Sequence, residues 1–400
     1  MKTFLRTKGT KIIDEKGQAI YLRGVNLGGW LMMEAYFMHS PNLAVHRFKD
    51  HFKKVLGEKA LIDFEHSFQN NFIKESDFKN IKQQGFNCIR LPFNGRLIET
   101  AISTVDISGL KCLDDAVRWA KKYKIFIILD LHAAPGAQNH DWHSDSDGRA
   151  LLWDSSEYQK RTLAIWEFVA NRYKDEYYVA GYDLLNEAVL NDSGKLNKLY
   201  KQIITTIRSV DKNHILFVEG SRWAQDLECL EEFDDDNYVL SVHNYEPLEF
   251  TFNFVPHLHY PLKTKEGKWN KQIMLKHLLR VQNISKQRNV PIFVGEFGVN
   301  TREGLYGEDQ WLEDTLSVYK RYGFHWTYWT YKAVKNYLFP DGIYSYKGNP
   351  PWVHREGPLE GWDTYHLHWP TSKKQMIESW DTKEFTVNPL ILKTLKKHAK

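Results

Sequence analysis

Seven short apolar runs of this sequence end on residues that can do chemistry: Arg90; Asp130 and His132; Asn186 and Glu187; Glu219; His243 and Tyr245; Glu296; and Trp329. One charged residue at a strand end is ordinarily a helix cap or a solvated loop residue. A whole succession of them implies a shared mouth, because desolvating several carboxylates, an arginine and two histidines together is tolerated mainly where chemistry needs them. Within the set, Glu187 and Glu296 suit hydrolysis of a glycosidic bond. With carboxyl groups about 5–5.5 Å apart, one attacks the anomeric carbon, the other protonates the leaving oxygen, and configuration is retained. The attacking group must be ionised, which a cation such as Arg90 favours. The donor must be protonated, which burial and a neighbouring negative charge favour.

Bringing these residues to one place requires parallel strands that end side by side. The chain alternates short β-branched or aromatic runs at 20–26, 87–93, 125–132, 179–187, 214–220, 238–245, 291–298 and 324–331 with longer amphipathic stretches such as 110–123 and 198–210. That is the signature of βα units. Eight parallel strands in one sheet close on themselves, so the expected fold is α/β, a TIM (β/α)8 barrel forming one domain over 1–400, with its site at the C-terminal ends of the strands. The opening TKGTKIIDEKGQAIYLRG holds two short β-type runs and predicts a small N-terminal β-hairpin turning at Lys16-Gly17. Three connections, 31–75, 246–270 and 332–370, exceed what a plain barrel needs. Long loops at that face ordinarily build the site.

With these motifs set out, the strand ends resemble glycoside hydrolase family 5, the cellulase-like families of clan A. The resemblance rests on RLPF at Arg90, DLHAAPGAQN from Asp130 to Asn139, YDLLNEA around Asn186-Glu187, SVHNY at His243 and Tyr245, VGEFG at Glu296, and WTYW at Trp329, and it covers roughly residues 20–335. It implies Glu187 as acid/base and Glu296 as nucleophile, with Asn186 bonding the sugar 2-hydroxyl. It further implies Arg90 and Tyr245 on the nucleophile, His243 on the acid/base, His132 on sugar hydroxyls and Trp329 under the reactive sugar. RGVNLGGWLMMEAY and DLHAAPGAQNHDW are similar to the exo-β-1,3-glucanase branch, which implies that Glu34 and the Asn139 to Trp142 loop bind the non-reducing-end sugar. The 140–150 loop and the 338–370 insertion depart from that branch. Trp30, after Gly28-Gly29, either lines the pocket or packs against Trp329.

Composition bounds the remaining choices. With 42% hydrophobic and 26% charged residues the chain can bury a sizeable core. Its 14% aromatic content exceeds what such a core requires, so some rings are expected on a surface. Trp142, Trp153, Trp352, Trp362 and Trp369 are candidate sugar platforms, each more often a packing residue. The net charge of +4 carries no basic patch interleaved with aromatics, so no nucleic-acid partner is expected. The terminal lysines Lys393, Lys396, Lys397 and Lys400 read as the solvated face of a last helix.

Cys88, Cys112 and Cys229 form no CxxC pair. His140, Asp141, His143 and Asp145 lack a ligand spacing such as HxxxH on a helix. Gly24, Gly28 and Gly29 make no GxGxxG before a helix. Neither a metal nor a cofactor is therefore expected. Glu219 reads as a loop cap more readily than as a third functional carboxylate. No run of 18 apolar residues predicts a membrane span, and the opening residues lack a signal peptide's apolar region, so a cytoplasmic or already processed protein is expected. Oligomeric state has no signal. The leading expectation is a retaining exo-β-glucanase or β-glucosidase acting on a β-linked oligosaccharide or glucoside. An endo-acting β-glucanase, a glycolipid β-glycosidase and a non-catalytic carbohydrate-binding barrel are the alternatives.

Overall fold

The computed structural model describes residues 4–104, 110–264, 267–357 and 361–399. Eight parallel strands, β1 (Arg23–Asn26), β2 (Cys88–Asn94), β3 (Phe126–Ala133), β4 (Val179–Asp183), β5 (Ile215–Glu219), β6 (Tyr238–His243), β7 (Ile292–Glu296) and β8 (His325–Tyr328), close into a barrel. Each pairs with its sequence neighbour, and β8 returns to β1 through Trp326↔Arg23 and Tyr328↔Val25. The fold is the TIM barrel that the alternation of elements predicts.

The strands put polar groups above apolar ones by simple alternation, since every second side chain points inward. Cys88 leads to Arg90, Ile128 to Asp130 and His132, Phe217 to Glu219, and Val239 to Ser241 and His243. The lower members, with Ala180, Ile215 and Phe293, form a fully apolar cluster inside the barrel. Leu5, Ile12 and Leu22 complete that cluster from the N-terminal segment. The barrel is thus filled with hydrocarbon at one end and carries its ionisable groups at the other. On β7 the alternation breaks at a register shift between Val294 and Glu296. Such an irregularity re-aims a side chain, here the Glu296 carboxylate.

The N-terminal hairpin differs from expectation in its turn. Arg6–Lys8 pairs with Lys11–Ile13, so the ladder turns at Gly9 and Thr10. The Glu15 to Gly17 turn follows it and adds only the isolated bridge Ile13↔Ala19. The Asp14 carboxylate accepts the backbone N–H groups of Lys16 and Gln18, and this side chain supports the second turn beside the backbone bonds from Asp14 N to the Gln18 carbonyl and from Ile20 N to the Ile12 carbonyl.

Four expected strands stop two or more residues short of their predicted ends. The run at 179–187 is strand only to Asp183, that at 238–245 only to His243, that at 291–298 only to Glu296, and that at 324–331 only to Tyr328. Asn186, Glu187, Tyr245 and Trp329 therefore stand just beyond the strands, where Asn186 and Trp329 still donate their N–H groups to the Leu131 and Phe297 carbonyls while the Glu187 N–H turns to the Glu219 carboxylate. The long connections also divide differently. Residues 31–75 contain the helices Val45–Leu56 and Glu58–Phe72, and the C-terminal insertion contains the helix Gly361–Ser379. These helices pack on each other through aromatic rings: Phe64 lies 5.2 Å from Trp369 and 5.7 Å from Trp380, and Trp369 stacks on Trp380. Much of 332–370 thus builds a flank of the molecule. Trp369 packs in that flank, while Trp352 donates to Ser379 Oγ and Trp153 to the Gln138 carbonyl. The side chain of Trp362 lies outside the described residues.

The last helix, Pro389–His398, carries Lys393, Lys396 and Lys397 exposed, and Lys400 lies outside the described residues. Among the described residues no helix is long and apolar enough to cross a membrane.

Candidate active site

Arg90 is the hub of the mouth. Fully buried, it donates from Nη1 to Glu296 Oε1 at 2.7 Å, from Nε to Asp183 Oδ2 at 2.8 Å, and from Nη2 to Asn186 Oδ1 at 2.9 Å and Glu219 Oε1 at 3.1 Å. Asp130 Oδ2 lies 3.1 Å from the same Nη2. Only a planar guanidinium has enough donors in a fixed fork to serve so many oxygens at once. On the other oxygen of Glu296, Tyr245 donates its hydroxyl at 2.8 Å.

Glu187 faces Glu296 from the turn after β4, with its backbone at φ 49. This left-handed conformation is uncommon for a residue with a side chain, and it is clamped from both sides. The Glu187 N–H donates to Glu219 Oε2 at 2.6 Å, and its carbonyl accepts from Asn139 Nδ2 at 2.9 Å. The Glu187 carboxyl lies between two imidazoles: Oε1 is 2.7 Å from His243 Nδ1 and Oε2 is 3.0 Å from His143 Nε2. One oxygen of Glu187, one of Glu296 and a ring nitrogen of His243 all lie within 4.8 Å of one another.

Beside the pair, His132 lies flat against Trp329, with ring centroids 5.5 Å apart and planes 6° apart. The Trp329 indole N–H donates to Tyr36 Oη at 2.5 Å, and Glu34 Oε1 is 3.5 Å from His132 Nε2. Trp142 meets Phe339 edge-on at 6.0 Å, and its indole N–H has no partner among the described residues. The structure therefore gathers Glu187, Glu296, Arg90, Asn186, His243, Tyr245, His132, Trp329 and Glu34, with Trp142 at the edge. Trp30 and Asn139 are placed differently. Trp30 is buried and donates to the Gln69 carbonyl in the flanking helix. Asn139 commits its amide nitrogen to Glu187 O and His143 Nε2 and its oxygen to Asp141 N, so it builds the loop.

With this geometry established, comparison with known proteins decides the family, because the description "Cellulase (glycosyl hydrolase family 5)" matches residues 51–335. The chain belongs to glycosyl hydrolase family 5. It is 30% identical over 346 residues to a protein named beta-xylosidase from Phanerodontia chrysosporium, covering 83% of this chain and 71% of that one. It is 28% identical over 344 residues to Endoglucanase C of Acetivibrio thermocellus, covering 78% and 91%. It is 29% identical over 279 residues to Glucan 1,3-beta-glucosidase 2 of Wickerhamomyces anomalus, covering 62% and 64%. Among solved structures, endoglucanase Cel5A from Thermotoga maritima shares the fold with a TM-score of 0.60 at 23% identity, over 81% of this chain and 92% of that one.

The electrostatics of this family 5 site reverse one expectation. Burial pushes the Glu187 carboxyl up, but His143 and His243 outweigh it and hold it well below the usual range. Burial pushes Glu296 up as well, and there His243 and Arg90 pull back without fully compensating, while Glu187 adds to the rise. Arg90 alone would place the lower value on Glu296 and the higher on Glu187. The second imidazole on Glu187 and the other carboxylates that share Arg90 reverse that order. His132 is desolvated, yet Asp130 and Glu34 raise it to about 10, so it is an imidazolium at neutral pH.

Glu187, His243 and Glu296 are close enough together to raise the question of a metal ion. Their atoms already have partners, Arg90 and Tyr245 on Glu296, His143 on Glu187, and Glu219 Oε1 3.1 Å from His243 Nε2. Positive charge already reaches Glu296 from the Arg90 guanidinium.

Four groups in this network were not read as functional from the sequence. Glu219 holds the Glu187 backbone, Arg90 and His243 together. Asp183 pairs with Arg90. Gln138 donates to the carbonyls of His132 and Asn186. His143 reaches Glu187. Glu219 and Asp183 both end strands of the barrel, and that placement was the available signal. Gln138 and His143 lie in a loop whose path no local pattern predicts.

Proposed function

We propose that this chain is a retaining, exo-acting β-glycosidase that removes a glucose-type sugar from a β-linked oligosaccharide or glucoside, with Glu296 as nucleophile and Glu187 as acid/base. The observation that carries this reading is the approach of their carboxyl oxygens to within 4.8 Å. Retaining enzymes keep the two groups about 5–5.5 Å apart, whereas inverting ones leave about 6.5–9.5 Å for a water. In the first step a Glu296 oxygen attacks the anomeric carbon as the bond to the leaving oxygen breaks. That oxygen keeps the bonding pair and takes a proton from Glu187. In the second step water attacks the same carbon, its proton passes to Glu187, and the ester bond returns its pair to Glu296. Positive charge developing on the sugar favours ionised Glu296, which the Arg90 and Tyr245 donors already hold in line.

Exo action is supported by a continuous aromatic wall. Trp142, after β3, meets Phe339, after β8, and Phe339 also meets Tyr36 at 5.1 Å and Phe252, after β6, at 5.4 Å. A wall joining four loops makes a pocket, and a pocket accepts a chain end. The relatives named beta-xylosidase and glucan 1,3-beta-glucosidase fit this reading. Outside the wall, Phe254, Val255, Tyr337 and Leu338 are between 43% and 69% exposed, with Asn253 donating to the Tyr337 carbonyl to join the two segments. This patch favours a second reading, a β-glycoside with an apolar aglycone.

Hydrolysis of an aryl β-glucoside should fall by about 10²–10⁴ in both Glu187→Ala and Glu296→Ala. Azide should rescue Glu296→Ala with a glycosyl azide of inverted configuration and Glu187→Ala with one of retained configuration. The opposite pairing would reverse the roles. A time course on laminari-oligosaccharides, cello-oligosaccharides and glucosylceramide then reads linkage, end and aglycone together. Release of mixed internal fragments would overturn exo action.

A further inference from the structure

The loop after β3 carries four groups, His140, Asp141, His143 and Asp145, whose density in the sequence suggests a metal site. The structure disperses them. Asp145 accepts from His46, Asn94 and Arg96, Asp141 accepts from the Trp223 indole, and His140 is half exposed. His143 alone reaches the catalytic pair, with Nε2 3.0 Å from Glu187 Oε2. The same nitrogen lies 3.1 Å from Asn139 Nδ2.

An amide N–H can only donate, so the Asn139 contact fits an Nε2 with its lone pair free. The Glu187 contact fits either direction, Nε2–H donating to a carboxylate or a carboxylic O–H donating to bare Nε2. Together the contacts describe two positions of one proton. With the proton on nitrogen, Glu187 is ionised. With the proton on Oε2, the imidazole accepts from both Glu187 and Asn139, and Glu187 is ready to act as an acid. Filling the mouth with a sugar removes water, and desolvation favours the neutral arrangement over the ion pair.

We infer that His143 is a positioning residue for the acid/base, its Nε2 sharing with Glu187 Oε2 the proton that is delivered to the leaving oxygen. This rests on the reading of Glu187 as acid/base. Around the imidazole stand Glu187, Glu34, the imidazolium of His132 with ring centroids 6.2 Å away, and the edge-on Trp142 ring. Burial and His132 pull the His143 value down, and Glu187 and Glu34 raise it further than that, so its net displacement is upward. The pair therefore keeps one proton, resting on His143, to higher pH than a lone carboxyl would keep it, while the Glu187 carboxyl itself is held low.

The test compares His143→Ala and His143→Asn with the unchanged enzyme on two aryl β-glucosides. A phenyl leaving group needs the proton and a 2,4-dinitrophenyl group does not. Expected for His143→Ala is a loss of about tenfold or more in kcat/KM on the phenyl substrate, with less than about a threefold loss on the dinitrophenyl one. The basic limb of the phenyl profile should move down by about one pH unit. His143→Asn, which keeps a polar contact but cannot titrate, should show the same displaced limb even if it restores part of the rate. Equal losses on both substrates, or an unmoved basic limb in both variants, would overturn the inference and leave His143 as a loop-packing residue. Glu187→Ala serves as the reference. If it lacks the leaving-group dependence, the acid/base reading itself fails. If it shows that dependence and neither His143 variant does, only the present inference fails.

Discussion

The replacement Glu219→Gln tests whether a fully buried carboxylate outside the proposed catalytic pair sets the posture of Glu187. Glu219 Oε2 accepts the Glu187 N–H at 2.6 Å, and Oε1 meets Arg90 Nη2 and His243 Nε2, each at 3.1 Å. All of these neighbours can donate, so the site needs two accepting oxygens. Glutamine offers one oxygen and one NH2, and whichever way it turns, an N–H faces another N–H. At least one hydrogen bond to a charged acceptor is lost, worth about 1.5–3 kcal/mol. If the loss falls on the posture of Glu187 in the transition state, kcat/KM drops by about ten- to a hundredfold, at about 1.4 kcal/mol per decade. KM should change little, because Glu219 does not face the substrate. Steady-state kinetics on a phenyl β-glucoside, with a thermal melt to confirm folding, measures this. A folded Glu219→Gln enzyme within about threefold of the original would refute the argument, since the lost bond would then have no counterpart in the transition state.

Two further outcomes follow from the same geometry. Tyr245→Phe removes the 2.8 Å hydroxyl from Glu296 Oε2. A carboxylate that loses a donor is harder to ionise, so the acidic limb of kcat/KM should move to higher pH and kcat should fall by about tenfold or more; an unmoved acidic limb would show that Tyr245 does not govern ionisation of Glu296. Asp145→Asn tests the anchor of the loop that carries His143. His46, Asn94 and Arg96 hold the Asp145 carboxyl at about 2 despite burial, against an ordinary 3.8. Its folded value is the lower one, so its stabilisation, about 2 kcal/mol, is present above the unfolded value and lost as pH falls through about 2. Urea denaturation should show the variant weaker at pH 6, with most of the difference gone at pH 2, and a difference undiminished at pH 2 would assign the effect to something other than charge.

The barrel was legible because each of its signals is local. Inward alternation along β2, β3, β5 and β6 places Arg90, Asp130, Glu219 and His243 above apolar partners, and short runs separated by amphipathic stretches leave little choice of topology. Element ends were less legible, since Tyr245 and Trp329 lie beyond strands that looked continuous through them. The turn of the N-terminal hairpin was misplaced because two glycine turns stand close together, and tertiary packing selects between them by burying Leu5 and Ile12 in the barrel.

What the sequence by itself determined is therefore the closed sheet and the set of side chains at its C-terminal end, because both follow from periods of two residues and from the length of βα units. What only the tertiary structure decided is who touches whom around Glu187. His143 is 44 residues before it in the chain and Glu219 is 32 after it, and each reaches it through a loop path or from a neighbouring strand. The proton balance of the pair depends on those contacts, since hydrogen bonds and Coulomb forces act over a few ångströms, however far apart the residues lie in sequence.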